Sequence, residues 1–204
     1  IGIALLMGYE IPMNFNAPLK ADSMTDFWRR WHISLSTWIR DYVYISLGGN
    51  RRGKVFMYIN QMIAMTACGL WHGASLNFVL WGVIHGALVC IHKFWSQTIM
   101  RHDRHYHPSG IRRFFSVLIT FHVITFTWIL FRCRDFDSAW IMIKQMVTKF
   151  NLSVLPDVFI AYKYVFILML FALFTHFLPN SWQNRSIKIL QKGGVVLSAV
   201  PITI

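Results

Sequence analysis

The chain has 204 residues, 55% of them hydrophobic and only 14% charged. Soluble domains hold roughly 25% charged residues, so a water-facing globule is excluded and an integral membrane protein is indicated. The net charge of +12 does not indicate a nucleic-acid binder. Its Lys and Arg lie in loops between apolar runs, where membrane proteins hold them against lipid headgroups.

The chain opens on "IGIALLMG" and ends on "GGVVLSAVPITI". Both are apolar segments shorter than the ~20 residues of a membrane span. Residues 1–204 are therefore expected to be one piece of a larger membrane domain, cut at both ends. The segment "YEIPMNFNAPLKADS" follows as an extended connection. Ser23 is placed to cap a helix, with Asp26 at the third residue beyond it. From Met24 to about Leu47 the spacing of Phe27, Trp28, Trp31, Leu35, Trp38, Ile39 and Tyr42 predicts a single helix. Arg29, Arg30, Arg40 and Asp41 make it too charged for a simple span, so an interfacial or cavity-facing helix is expected.

Gly48-Gly49-Asn50 is turn chemistry, and Arg51, Arg52 and Lys54 mark a membrane boundary. No Asp, Glu, Lys or Arg occurs from Val55 to His92. Spans are predicted at about 55–71 and 74–94, joined at His72-Gly73 by either a tight hairpin or a broken helix. A basic loop with His102, His105 and His107 follows, then a span at about 114–131. An interfacial helix is expected over 132–161 around Trp140, Ile143 and Val147. A fourth span is expected at about 162–178, a loop at 179–192, and the start of a fifth at the end. The basic loops at 48–54, 93–113 and 179–192 are expected to alternate sides, which leaves the orientation undecided. Cys68, Cys90 and Cys133 lack any paired spacing and read as buried free thiols.

Six histidines lie in or beside apolar helical segments, where an ionisable group marks either a function or a satisfied structural partner. His32 shares a helix flank with Trp28, Leu35 and Ile39. His72 stands at a Gly-flanked break that lets its imidazole enter a cavity. From the pattern alone, both remain open between function and structure. His85 lies between Gly82 and Gly86 and reads as a packing histidine. His92 is expected to be solvated or bonded to a carbonyl. His122, among Thr120, Thr125 and Thr127, and His176 near a span end, are expected to be hydrogen-bonded in the bundle. The loop histidines have one acid, Asp103, and no cysteine beside them, so no metal site is assigned. The chain has no P-loop, GxSxG or HExxH motif. None of its eight acids lies in a full span, which weighs against cation-coupled transport.

The blocks "NFNAPLKADSMTDFWRRWHISLSTWIRDYVYISLGGNRRGK" and "LWHGASLNFVLWGVIHG" closely resemble the membrane-bound O-acyltransferases. Within that family they are most similar to the bacterial alginate O-acetyltransferase type. Teichoic-acid D-alanyl transfer proteins and peptidoglycan O-acetyltransferases are its relatives. The resemblance implies an all-α, polytopic bacterial inner-membrane protein with helices around a funnel or tunnel. It implies catalytic His72, in the WHG motif, and His32, in the FWxRWH motif, with His85 at most a structural or tunnel residue. It implies no bound cofactor but a thioester donor as substrate, either acetyl-CoA or an acyl-carrier type. Membrane lipids, a polysaccharide acceptor and a separate extracytoplasmic acetyltransferase are the implied partners. His72 would act as general base, while His32 would orient it or serve as a second acid/base. Asn77 is a candidate contact for the oxyanion. Arg29, Arg30, Arg40, Arg51 and Arg52 are candidates for donor phosphates, with headgroup contact as the alternative. The rival readings are a histidine-lined transporter or channel, and a non-catalytic assembly subunit.

Overall fold

The computed structural model describes residues 7, 9, 11–101, 106–178 and 182. The expected cut segments at the two ends, most of the 179–192 loop, and His102 and His105 lie outside the described residues. Two compact units divide the chain, one over residues 14–150 and one combining 1–13 with 151–204.

The larger unit is all helical over its described residues. It begins with α1, Met24–Arg30. The Ser23 hydroxyl accepts from the Asp26 N–H at 3.2 Å, as a capping residue should. Asp26 does not complete the reciprocal bond to Ser23. Its carboxylate instead binds Arg30 at 2.8 Å, one turn along.

The single helix expected from Met24 to about Leu47 is broken at Trp31 and His32. His32 has φ 42° and ψ 57°, the left-handed conformation. That conformation costs an L-residue about 1–2 kcal/mol. The break is held by a partner far upstream, which helical periodicity cannot reveal. The Asn14 carbonyl accepts from the Ile33 N–H at 2.9 Å, and the Asn16 N–H donates to the Arg30 carbonyl at 2.9 Å. The Asn14 side chain accepts from both the N–H and the hydroxyl of Ser34. The chain resumes as α2, Ile33–Trp38, and widens into a π turn, Ile39–Tyr44.

The central feature is the pair α3, Lys54–Trp71, and α4, Leu76–Phe94. Only residues 72–75 join them. A Cβ on Gly82 would lie 2.5 Å from the Met65 carbonyl oxygen, one on Gly69 would strike the Phe78 carbonyl, and one on Gly86 would meet Met62 at 3.0 Å. The contacts 62 to 86, 65 to 82 and 69 to 78 run in opposite senses along the two helices. The joint is therefore a tight antiparallel hairpin, and its backbones meet glycine against glycine.

The third layer is α5, Gly110–Thr127, followed by α6, Ile129–Arg132, and α7, Phe136–Thr148. His85 meets Thr127 and Asn77 meets the Cys133 carbonyl, so α5–α6 runs antiparallel to α4. Two apolar clusters hold these layers. One joins Leu35, Ile39, Ala64, Cys68, Trp81, Leu130 and Ala139; the other joins Ala21, Met24, Phe27, Val89 and Ile124.

This arrangement corrects the expected alternation of basic loops. Because α3, α4 and α5 alternate in direction, the turn with Arg51 and Arg52, the end of α4 at Lys93 and the start of α5 at Arg112 and Arg113 share one end of the bundle. His72 lies at the other end of α3.

Among the described residues, Leu76–Ile99 and Gly110–Arg132 are long and apolar enough to cross a membrane. The predicted span at 55–71 does form a helix of 18 residues, but it is not one of these two. Lys54, Asn60 and Gln61 dilute its apolarity. Asn60 is buried and donates to the carbonyls of Leu47 and Gly49, tying α3 to the preceding turn.

In the second unit, a 3-10 turn at Leu152–Val154 leads into α8, Leu155–Ala161, and then α9, Lys163–Phe177. The one interfacial helix expected over 132–161 is thus divided between α7 and α8. The predicted fourth span is realised as α9, whose 15 residues span only ~22 Å against a hydrocarbon core of ~30 Å. It passes as a span only together with Leu152–Ala161, across a bend of 86°. Apolar side chains such as Val165, Leu168, Phe171 and Phe174 are exposed around α9, the surface of a helix surrounded by lipid or protein.

Substituting Gly82 by Ala should force α3 and α4 apart at their closest approach. A loss of about 1–3 kcal/mol is expected for such overpacking, read as a lower thermal midpoint of the detergent-solubilised protein.

Candidate functional site

His72 caps the C-terminus of α3. Its N–H donates to the Gly69 carbonyl at 3.0 Å, and Gly73 beside it has φ 148°. A side chain at Gly73 would be strained by that φ and would also meet the Phe78 ring at 3.1 Å. Glycine therefore lets the chain turn immediately after the imidazole. The ring sits among aromatic neighbours. Trp71 and Phe131 have centroids 4.9 Å away, Trp81 5.5 Å and Phe78 6.0 Å, the first three edge-on. His72 is half-buried, and among the described residues no protein group hydrogen-bonds its ring. An imidazole held by apolar walls with its nitrogens uncommitted is suited to exchange a proton with a substrate.

His32 approaches the same place from the break between α1 and α2. Trp71 stands between the two histidines, 4.9 Å from His72 and 5.8 Å from His32. The two rings lie within electrostatic range, but no hydrogen bond joins them. Phe15, from the segment that pins the break, also packs near His32, at 6.0 Å. The Nδ1 of His32 is buried and has no partner among the described residues.

The other histidines separate clearly. His85 is fully buried, with Nε2 2.9 Å from the Thr127 hydroxyl, so the packing assignment holds. His92 is partly exposed and lines the edge of a cavity, and its hydrogen-bond partner is a hydroxyl rather than a carbonyl. Its Nδ1 lies 2.9 Å from the Thr25 hydroxyl, joining α4 to α1. His122 is exposed, and its Nδ1–H donates to the Leu118 carbonyl of its own helix rather than across the bundle. Thr125 likewise bonds its own helix. In the second unit, His176 packs edge-on against Phe177. His107 meets the buried Asp22 at 2.7 Å. Asp22, Asp26 and His107 form the one group of potential metal ligands among the described residues, and there Arg30 already neutralises Asp26.

Asn77, the candidate for an oxyanion contact, sits inside the helix packing. It is 1% exposed, and its Nδ2 donates to the Cys133 carbonyl at 3.1 Å. The side chain ties α4 to the end of α6, and its Oδ1 is buried with no partner among the described residues. The three cysteines are free, with Cys68 buried and Cys90 directed to the Tyr58 carbonyl.

The arginines are sorted by a cavity of about 490 Å³ between α1, α2, α3 and α4. Arg29, Arg40 and Lys93 line it, together with Thr25, Ser36, Thr37 and Gln61, and no acid does. Its apolar wall is Ala64, Met65 and Cys68 on α3 and Val89 on α4. Cys68 is one helical turn from His72, and Trp28, another lining residue, lies edge-on to Trp81 at 5.7 Å. Lys93 donates to Gln61 at 2.8 Å, a pairing the sequence did not indicate. Arg30 is paired with Asp26 and does not line this cavity. Arg40 binds the exposed Asp41, whose carboxyl it holds below the usual range through their hydrogen bond. Arg29 has no ion pair among the described residues and faces both this cavity and a smaller one of about 210 Å³ beside it. The excess of positive charge extends outward. Burial, then the guanidiniums of Arg30 and Arg113, hold the Lys20 ammonium below its usual range.

Residues 1–131 match the model of MBOAT, the membrane-bound O-acyltransferase family. The chain belongs to this family. It is 40% identical over 147 residues to a peptidoglycan O-acetyltransferase of Helicobacter pylori, covering 72% of this chain and 27% of the relative. It is 41% identical over 146 residues to a probable alginate O-acetylase AlgI of Pseudomonas aeruginosa, covering 72% and 26%. A teichoic acid D-alanyltransferase of Bacillus subtilis is 28% identical over 144 residues, covering 67% and 36%. The aligned part spans about a quarter of the length of the first two relatives. The match to this MBOAT chain includes α1 to α5, the two motif histidines and every residue lining the larger cavity.

The left-handed conformation of His32 gives a stability test independent of chemistry. His32→Gly keeps that backbone without steric cost, while His32→Val places a β-branched residue where φ is positive. Thermal unfolding of the solubilised protein should place the Val variant lowest, below wild type and about 1–2 kcal/mol below the Gly variant.

Proposed function

We propose that this chain carries the catalytic portion of an acyltransferase that moves an acetyl group from a thioester to a hydroxyl of a cell-envelope polysaccharide. The observation that carries the proposal is the His72 imidazole, walled by aromatic rings, with no hydrogen-bond partner among the described residues, and one helical turn beyond a basic cavity. As the acceptor hydroxyl attacks the thioester carbonyl, neutral His72 takes its proton. The tetrahedral intermediate collapses with loss of the thiolate, to which the imidazolium returns the proton. The ester and the free thiol are the products. Aromatic walls limit water at the thioester and so limit its hydrolysis. His32 serves as the second histidine, facing the same substrate across Trp71 rather than holding His72 directly.

The donor enters through the basic cavity. Its phosphates meet Arg29, Arg40 and Lys93, and its thioester arm follows Ala64, Met65 and Cys68 toward His72. Acetyl-CoA and an acyl-carrier thioester share this combination of anionic head and slender apolar arm. The end of the bundle with Arg51, Arg52, Lys93, Arg112 and Arg113 faces the cytoplasm by the positive-inside rule. The setting is the bacterial cytoplasmic membrane, and a separate extracytoplasmic transferase acts as partner. The relatives support a polymer acceptor of the cell envelope, since their names include peptidoglycan, alginate and teichoic acid.

In the full-length protein, His72→Ala should lower acetyl transfer about 10²–10⁴-fold, the share of a general base, while the protein remains folded and membrane-inserted. Wild-type acetylation of the polymer by cells carrying only this variant would overturn the proposal. Arg29→Ala should raise the KM for acetyl-CoA about tenfold, the loss of one charge-assisted hydrogen bond, and leave kcat near wild type. An unchanged KM would remove Arg29 from the donor path.

A further inference from the structure

His85 is fully buried near the middle of α4 and has no surface through which to meet a substrate. Its environment is nevertheless more specific than packing requires. The Thr127 hydroxyl has one proton, and it donates that proton to the Ile124 carbonyl at 2.7 Å. It can therefore only accept from His85, whose Nε2 lies 2.9 Å away. This fixes the neutral ring as the Nε2–H tautomer and fixes its plane through a residue on another helix.

Trp81 is the next ring. Its centroid lies 4.3 Å from His85 at an interplanar angle of 37°, and 5.5 Å from His72 at 87°. The indole is 3% exposed, and its N–H has no partner among the described residues. No hydrogen bond sets its tilt, so its ring neighbours do: His85 on one side, with Phe131 and Trp28 edge-on. Nor can α4 move to compensate, because Gly82 and Gly86 sit against α3 at contact distance.

We propose that His85 is a positioning residue for the reaction at His72. Anchored by Thr127, its imidazole sets the tilt of Trp81, and Trp81 sets the orientation of the His72 ring. This inference rests on the catalytic reading of His72 for its effect on turnover, but the geometric link can be tested without it.

The test uses the full-length protein in detergent with Thr127→Val, which removes the acceptor at nearly constant volume, and Thr127→Ser, which retains it. Carbethoxylation of His72 by diethyl pyrocarbonate, followed by peptide mass spectrometry, reports how the imidazole is presented. The exposed His122 serves as the internal reference. Thr127→Val should change the His72 rate severalfold relative to His122 and lower acetyl-CoA turnover by about 10–100-fold, the effect of a small misplacement, with KM unchanged. Thr127→Ser should restore both. His85→Phe, which keeps a ring but loses the bond, should reproduce the Val variant; if it does not fold, the Thr127 pair decides alone. A wild-type His72 rate in folded Thr127→Val, or failure of Ser to restore it, overturns the inference. Wild-type turnover by His72→Ala would instead overturn the catalytic reading, leaving the modification rates to judge the positioning.

Discussion

The close approach of α3 and α4 is the constraint on which the rest depends. With a Cβ on Gly69 or Gly82 the two backbones would collide, so the hairpin exists only as a glycine contact. That contact allows four residues to join two long helices. It fixes the register that places Trp81 beside His72 at the turn. It also leaves α1 and α2 as the remaining walls of the basic cavity, because α3 and α4 leave no space between themselves. In a membrane, where lipid is as apolar as leucine, helix pairing relies on such packing rather than on water exclusion.

Charge is distributed along the same axis. Arg29, Arg40 and Lys93 lie toward one end of the hairpin, while His72 lies near the other in an aromatic pocket with no acid among the described residues. A carboxylate there would carry a permanent charge needing a partner, whereas an imidazole is inexpensive to bury when neutral and still accepts a proton. The cavity is thus basic at one end and apolar toward His72. This order suits a molecule with a charged head and a reactive apolar tail.

The sequence made the two long helices, the joint at His72-Gly73 and the helix capping by Ser23 legible, because each depends on residues close together, though it left the joint open between a hairpin and a broken helix. It did not reveal the break at His32. Seven apolar residues at helical spacing describe a helix well, and the bond that interrupts it comes from Asn14, well upstream. The partners of His92 and His122 were missed for a related reason. A histidine on a helix can turn to a hydroxyl on another helix or to its own backbone, and only the tertiary arrangement chooses. Asn77 was singled out by its nearness to His72 in the chain, and its bond to the Cys133 carbonyl was not foreseen. One signal was available in part: Asn77, Trp81 and His85 recur at intervals of four and mark a single helical face. Without knowledge of Thr127 opposite, that stripe could equally have been core.

The two motif histidines reach the site by different means, and this has consequences for the site's rigidity. His72 is placed by the end of a long helix and by Gly73, so its backbone is set by the hairpin itself. His32 is held in a left-handed conformation, away from its relaxed state, by bonds from Asn14 to Ile33 and Ser34. Strain of this kind persists only where surrounding structure over-determines it. Here the surrounding structure is the 14–16 segment and the ring stack of Phe15, Trp31 and Phe27, with Trp31 against Trp128 on the far helix. The position of His32 is therefore coupled to α5, as that of His85 is through Thr127. Helix α5 carries no catalytic candidate of its own, yet it braces both histidine-bearing walls, so small shifts of α5 should be felt at the site before they are felt in the hairpin.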